Sequence, residues 1–137
     1  MLVTLGHLLG EQRYLDAAER TVRAALHSLE RYPEGHPTLL RALDALLAPP
    51  QIVVVRAPTG TFDAWRKARD ATYDARRLTF TIPADASNLR GVLADRTSRS
   101  DHGTAYVCEG LTCRAPIDTP DALAAALGAP TAPTTTT

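Results

Sequence analysis

The chain has few of the residues from which sequence motifs for catalysis or recognition are usually built. Only two of its 137 residues are cysteines, one is tryptophan, and aromatic residues make up 5%. Two cysteines are too few for a secreted disulfide scaffold, which needs several bridges in a shorter chain. A single tryptophan, Trp65, gives no aromatic ladder on which nucleic-acid bases could stack. The composition therefore argues against both classes of protein.

Net charge and long apolar runs are also missing. Fifteen Lys and Arg residues balance fifteen Asp and Glu residues, so no long-range field would attract the chain to nucleic acid or to an anionic membrane. No stretch approaches the roughly 18 uninterrupted apolar residues of a membrane span. The start, MLVTLGHLLG, lacks the basic region and cleavage site of a signal peptide. We therefore predict a cytoplasmic protein with neither nucleic acid nor a membrane as partner.

The first third of the chain has helical periodicity. Apolar residues recur at spacings of three and four positions at Leu15, Ala18, Val22, Leu26 and Leu29. This stripe predicts an amphipathic helix over 14–31. A second helix is predicted to begin at Pro37 and to stop before Pro49. The apolar segment 1–9 is predicted to pair with the longer helix as a hairpin that turns at Gly10.

After Pro50 the pattern changes to short β-prone runs. The β-branched run 52–55 predicts a strand buried on both faces. A helix is then predicted over 62–77 and a second strand over 78–82, which together indicate a right-handed βαβ unit. The runs 104–108 and 111–116 are predicted to form a hairpin that turns at Glu109 and Gly110. A closing helix follows, with Asp118 or Thr119 as cap, Pro120 in its first turn, Leu123 and Leu127 facing inward, and Gly128 at its end.

These elements predict one α+β domain over 1–128. It has a helical part, 1–50, and a small α/β part, 51–128, whose mixed sheet contains a βαβ unit and a β-hairpin before the C-terminal helix. From position 129 the chain contains only Ala, Pro and Thr, a composition that cannot bury enough surface to offset the entropy of ordering. We therefore predict a disordered tail over 129–137.

Cys108 and Cys113, in the run YVCEGLTC, are the most suggestive residues for chemistry. Thiols on the two arms of a hairpin can face each other closely enough to bond or to share a metal. Their spacing is not CxxC, and no helix is predicted directly after Cys108, where a helix dipole would lower the thiol pKa. A structural or facultative cysteine pair is the leading interpretation, with redox activity and metal binding as alternatives.

Other motifs of catalysis or ligand binding do not occur. A zinc site would need two further ligands, and the histidines are scattered at positions 7, 27, 36 and 102. The turn APTGTF after the first strand has neither GxGxxG nor a P-loop, and no serine stands in GxSxG. No carboxylate pair is set in an apolar context that would separate its pKa values. We therefore assign no catalytic residue, no cofactor and no metal site.

Two parts of the sequence resemble one protein family. The run TAYVCEGLTCRAPIDTPDALAAAL, residues 104–127, resembles the closing segment of the YyaL-type, thioredoxin-domain-containing proteins, which include human spermatogenesis-associated relatives. The runs GEQRYLDAAERTVRAAL (10–26) and YPEGHPTLLRALDALLAPPQIVVV (32–55) resemble the last helical hairpin of that family's toroid and the strand after it. The resemblance places Cys108 and Cys113 at matching YVC and TC positions.

The resemblance implies what the chain has and what it lacks. Proteins of this family are similar to thioredoxin at their N-terminus and to six-hairpin, (α/α)6 sugar-processing enzymes in their larger C-terminal part. One hairpin cannot enclose a substrate, so we expect no catalysis from the isolated chain. The leading hypothesis is a noncatalytic C-terminal module or fragment whose first helices expose an apolar face and so associate with themselves or with a protein partner. The alternatives are a thiol redox protein using Cys108 and Cys113, and a subunit that completes a sugar-modifying toroid.

Overall fold

A computed structural model describes residues 1–110 and 112–128 of the chain. Its helices are α1 (Leu2–Leu9), α2 (Gln12–Arg31), α3 (Pro37–Leu47), α4 (Phe62–Arg69), α5 (Val92–Asp95) and α6 (Pro120–Gly128). Its strands are β1 (Gln51–Ala57), β2 (Arg77–Pro83), β3 (Thr104–Glu109) and β4 (Thr112–Cys113). The predicted α+β class is confirmed. The predicted tail, 129–137, lies outside the described residues.

The helical part is built on a hairpin of α1 and α2. Gly10 adopts a left-handed conformation with φ of 68° and donates its N–H to the carbonyl of Gly6, which ends α1 and reverses the chain as predicted. On α2 the residues Ala18, Val22 and Leu29 are buried. Leu26, predicted on the same apolar stripe, is instead 42% exposed. With 3.6 residues per turn, Leu26 lies about 60° around the helix from the buried Leu29, at the margin of the apolar stripe.

The sheet has the strand order β2-β1-β3-β4. β1 pairs in parallel with β2, with Ile52 opposite Leu78. β3 pairs antiparallel with β1, with Val54 opposite Tyr106, and antiparallel with β4. The predicted βαβ unit and β-hairpin are therefore both present. All seven residues of β1 are buried, because this strand has a neighbour on each side and helices on both faces.

Each face of the sheet has its own apolar cluster, since successive side chains of a strand point to opposite faces. The first cluster joins β1 and β3 to α4 and α6: Val53, Val55, Ala57, Ala105, Val107, Trp65, Ala68, Leu123 and Leu127. The second cluster lies on the face towards α1 and α5: Ile52, Val54, Tyr106 and Cys108, with Leu8, Val92 and Leu93 packed against them. The cysteines therefore belong to the second face.

The helix predicted over 62–77 is too long. α4 ends at Arg69, and Arg77 already begins β2. In the turn between them, side chains bond to backbone groups that a continuing helix would need for its own hydrogen bonds. The Asp74 carboxylate accepts from the Arg76 N–H at 2.9 Å. From the start of β2, Arg77 Nη1 donates to the Thr72 carbonyl at 2.7 Å. Such local bonds compete with helical ones and allow the helix to end early.

The second arm of the hairpin is shorter than predicted, and the closing helix is as predicted. β4 covers Thr112–Cys113 and does not extend to 116, and Ile117 then makes an isolated bridge to Ala105. Position 111, the predicted start of this arm, lies outside the described residues. The Arg114 N–H still donates to the Val107 carbonyl at 2.9 Å, but Ile117 pairs with Ala105 one residue out of the register set by Cys108 and Cys113. An extra residue in one strand of this kind disrupts the regular ladder. The hydroxyl of Thr119 accepts from the N–H of Ala122 at 3.3 Å and so caps α6. Among the described residues, no helix combines the length and the apolar character that crossing a membrane requires.

Candidate functional site

The β-hairpin of β3 and β4 brings the two predicted cysteines together. Register pairing sets Cys108 directly opposite Cys113, with Gly110 at the turn in a left-handed conformation of φ 60°. The two residues form a disulfide, and their Cα atoms are 3.9 Å apart. Within the ranges 1–110 and 112–128, no cluster of three or more His, Cys, Asp or Glu side chains could hold a metal ion. The geometry thus joins the sulfurs to each other.

The two cysteine residues differ in their exposure to solvent. Cys108 is 1% exposed, because it points into the second face of the sheet beside Ile52 and Val54. Cys113 is half-buried and packs at the rim of the same cluster. The strand β4, which carries Cys113, is at the edge of the sheet and is only two residues long. A reagent from solvent therefore reaches Cys113 more readily than Cys108.

An arginine from a distant part of the sequence reaches the disulfide. Arg96 Nη2 donates to Cys113 Sγ at 2.9 Å. Its guanidinium lies over the Tyr106 ring, 5.5 Å from the ring centre, where a cation is attracted to the aromatic face. The Tyr106 hydroxyl in turn donates to the Thr97 carbonyl at 2.7 Å. Tyr106 therefore connects both the guanidinium and the backbone beside Arg96 to β3.

The hydrogen bonds of Arg96 are incompletely satisfied. Its Nε is buried and has no partner, and no carboxylate among the described residues lies within ion-pair distance of its guanidinium. A cation held beside a sulfur stabilises the thiolate over the thiol. The arrangement can thus support a thiolate at Cys113 once the disulfide is reduced.

Sequence reasoning missed Arg96. The residue is 17 positions before Cys113 and lies just after α5, in a polar stretch without periodicity. Neither spacing nor a motif links the two residues. Their contact arises from the turn between α5 and β3, which lays the chain across the second face of the sheet, so only the tertiary fold could have shown it.

The hairpin is also linked to the centre of the sheet by a polar chain. Glu109 accepts from Gln51 Nε2 at 3.1 Å, and it forms an ion pair with Arg114 at 3.2 Å. Both partners of the ion pair are more than 40% exposed, so solvent screening makes its contribution to the stability of the fold small.

The βαβ unit itself has no thiol. In thioredoxin-like proteins a CxxC motif accompanies such a unit. Here the connection from β1 to α4 consists of Pro58 and a 3₁₀ turn, Thr59–Thr61. The cysteines are located instead on the opposite side of the central strand, on the hairpin. Any thiol chemistry of this chain would therefore use a different geometry from a CxxC at a helix N-terminus.

A second candidate feature is an apolar groove across the three N-terminal helices, with a volume of about 580 Å³. Its walls include Leu2 and Val3 of α1, Val22 of α2, and Leu39, Ala42 and Ala45 of α3. Among the described residues that line it, Arg41 is the one that is charged. Large apolar side chains in this part of the chain also face solvent, notably Met1 at 94% and Leu47 at 77% exposure. Such a surface is typical of a protein–protein contact.

The histidines do not assemble into a site. His7 is buried on α1 and its Nδ1 has no partner, while His27 and His102 are exposed on other elements. Burial lowers the pKa of His7 below its ordinary value of 6.5, because desolvation penalises the charged imidazolium. The structure thus makes His7 a neutral core residue.

Comparison of the chain with protein-family models, with curated proteins and with solved structures gives no match.

Proposed function

We propose that this chain is a noncatalytic C-terminal module of a YyaL-type protein, and that its helical part packs against the preceding helices of the toroid. The observation that carries the proposal is the apolar groove formed by α1, α2 and α3. The sequence runs that resemble the family supply the second support, because they correspond to whole elements: 104–127 covers the hairpin and nearly all of α6, and 32–55 covers α3 and most of β1.

The two parts of the chain differ in how completely they bury their apolar surface. The α/β part encloses Trp65 and Leu123 entirely between the sheet and its helices. In the helical part, by contrast, α3 contributes no fully buried residue, and its Leu40 and Leu47 are exposed. Stacked helical hairpins bury their faces against neighbouring hairpins and not within one pair. The open groove therefore suits an occupant that is itself a helix with an apolar face.

The test is a binding measurement with a defined partner: a YyaL-type protein shortened to end before the hairpin that this chain resembles. We expect the chain to bind it and expect Ala42→Glu, which puts a charge into the groove, to weaken binding about tenfold or more. Ala24→Glu on the exposed side of α2 is the matched control and should bind like the original chain. Circular dichroism of both variants checks that the fold is kept.

Sedimentation velocity on the chain alone separates the remaining outcomes. A monomer at all concentrations that binds no hydrophobic dye would contradict an exposed docking surface. Self-association abolished by Ala42→Glu, without binding to the shortened toroid, would make a second copy the occupant and would overturn the assignment to the toroid. The alternative of a subunit that completes a sugar-modifying toroid predicts sugar-modifying activity only in the reassembled complex.

A further inference from the structure

We propose that Cys108 and Cys113 are a redox-active pair, in which Cys113 exchanges with an external dithiol or disulfide and Cys108 closes the internal bond. The inference is independent of the docking function, since the hairpin lies in the α/β part and the groove in the helical part. Three features of the hairpin carry it: the unequal access to the two sulfurs, the arginine on one of them, and the position of the bond at an open edge of the sheet.

Access decides which sulfur reacts with a partner. Thiol–disulfide exchange requires the attacking sulfur to approach in line with the bond that breaks. Cys108 is 1% exposed within the second cluster, whereas Cys113 is half-buried on the two-residue edge strand β4. An external thiolate can therefore reach Cys113 Sγ but not Cys108 Sγ.

Arg96 makes the same sulfur the more reactive one after reduction. Its Nη2 is 2.9 Å from Cys113 Sγ, and no described carboxylate neutralises the guanidinium. A neighbouring arginine lowers the pKa of a thiol and increases the fraction present as the nucleophilic thiolate. Within the part of the chain that the structure describes, Cys108 has no such partner, and its apolar surroundings favour the neutral thiol. The pair thus has one nucleophile and one resolving thiol.

The exchange reaction balances with a dithiol as the co-reactant. One thiolate of the dithiol attacks Cys113 Sγ, the Cys108–Cys113 bond breaks, and its electron pair goes to Cys108 Sγ, which takes up a proton. The second thiol of the partner loses its proton and attacks the partner's sulfur in the mixed disulfide. Cys113 leaves as a thiolate beside Arg96, and the partner is released as a disulfide. Two electrons pass from the dithiol to the protein, and the reverse sequence oxidises the protein.

The fold does not depend on the disulfide, so it can persist through both steps of this exchange. β3 is paired with β1 from Thr104 to Glu109, and this ladder does not depend on the disulfide. The bond only joins β3 to the short strand β4 across a turn. Reduction therefore frees the edge strand β4 from its covalent link to β3 and leaves the core intact. A disulfide that is essential for folding would instead link elements of the core.

The first experiment uses the unmodified chain, reduced with dithiothreitol and then treated with limiting iodoacetamide. Peptide mapping should show Cys113 alkylated about tenfold or more faster than Cys108, as expected for an accessible thiolate against a buried thiol. Equal labelling, or faster labelling of Cys108, would overturn the proposal. With oxidised glutathione, Cys108→Ala should accumulate a mixed disulfide at Cys113, whereas Cys113→Ala should react far more slowly.

The second experiment tests Arg96 through the pH dependence of the Cys113 alkylation rate. We expect a pKa below the reference value of about 8.5 in the reduced chain. Arg96→Gln should raise it, and Arg96→Lys, which keeps the charge, should restore most of the shift. A pKa at or above the reference that neither substitution moves would show that Arg96 only packs on the hairpin. Circular dichroism confirms that each variant is folded.

Discussion

Gly103 is a residue at which the structure leaves no room for a side chain. It has φ of 106°, a conformation that residues with a side chain rarely adopt. A Cβ built there would be 2.6 Å from Cβ of Ala57 and 2.8 Å from Nε1 of Trp65. Trp65 Nε1 donates to the carbonyl of the preceding residue, His102, at 2.9 Å. The glycine therefore lets the chain entering β3 pass directly against β1 and α4.

We expect Gly103→Ala to lower the free energy of unfolding by about 3 kcal/mol, through backbone strain and overpacking together. Gly60→Ala is the matched control, because no atom lies within 4 Å of a Cβ at that position and its φ is not positive. Urea unfolding followed by tryptophan fluorescence measures both. Equal stability of the two variants would contradict the close packing around Gly103.

His7 should make stability depend on pH. Its folded-state pKa is below the unfolded value of about 6.5, so the unfolded chain binds a proton at higher pH than the folded chain does. The contribution of the neutral His7 side chain to the free energy of unfolding is fully present above pH 6.5. It is lost as the pH falls from there through the folded-state pKa of His7. We expect His7→Leu to flatten this part of the stability curve. His27→Leu, at an exposed position of α2, should leave the curve unchanged in urea titrations at successive pH values.

At the scale of elements, α6 is held by the sheet and by α4. Leu123 is fully buried in the first cluster, and Leu127 beside it is 6% exposed. The carbonyl of Leu127 also accepts from the Thr72 hydroxyl at 3.2 Å, which ties the end of the helix to the turn after α4. The closing helix is thus part of the core of the α/β domain.

Leu123→Ala should therefore destabilise the chain by about 2–5 kcal/mol, the range for a leucine removed from a packed core. Leu47→Ala is the control, since that side chain is 77% exposed at the end of α3 and its loss should change stability by less than about 0.5 kcal/mol. Thermal or urea unfolding compares the stability of the two variants. If Leu123→Ala lowers the free energy of unfolding as little as Leu47→Ala does, α6 does not contribute to the cooperative unit.

For the whole molecule, the disulfide should contribute modestly to stability. The bond closes a loop between positions 108 and 113, and the chain-entropy relation for so short a loop gives about 2 kcal/mol. Typical domains have free energies of unfolding of about 5–15 kcal/mol, so the reduced chain should remain folded. We expect thermal unfolding of the reduced chain at a lower temperature but with an unchanged native circular dichroism spectrum. The Cys108→Ala/Cys113→Ala double variant should behave like the reduced chain, and loss of the native spectrum in both would show that the bond is required for folding.

Sequence patterns were sufficient for features that depend on neighbouring residues. Helical periodicity located α1, α2 and α3, and a β-branched run located β1. The reason is that a buried helix stripe or a buried strand requires apolar residues at fixed short spacings in the sequence. The hairpin pattern placed Cys108 and Cys113 on facing arms, and Thr119 with Pro120 marked the start of α6. The end of α4 was misplaced because side chain to backbone bonds in the turn at 70–76 outweighed the continuing helical spacing.

The sequence by itself thus determined the α+β class, the order of the strands and the longer helices, and the placement of the two cysteines on facing arms of a hairpin. Only the tertiary structure decided that β1 lies between β2 and β3, that Cys108 is buried while Cys113 is half-buried, and that Arg96 contacts Cys113. The physical reason is the range of the interactions. Periodicity and capping act over a few residues, whereas burial and the contact of a cation with a distant sulfur depend on how complete elements pack against one another.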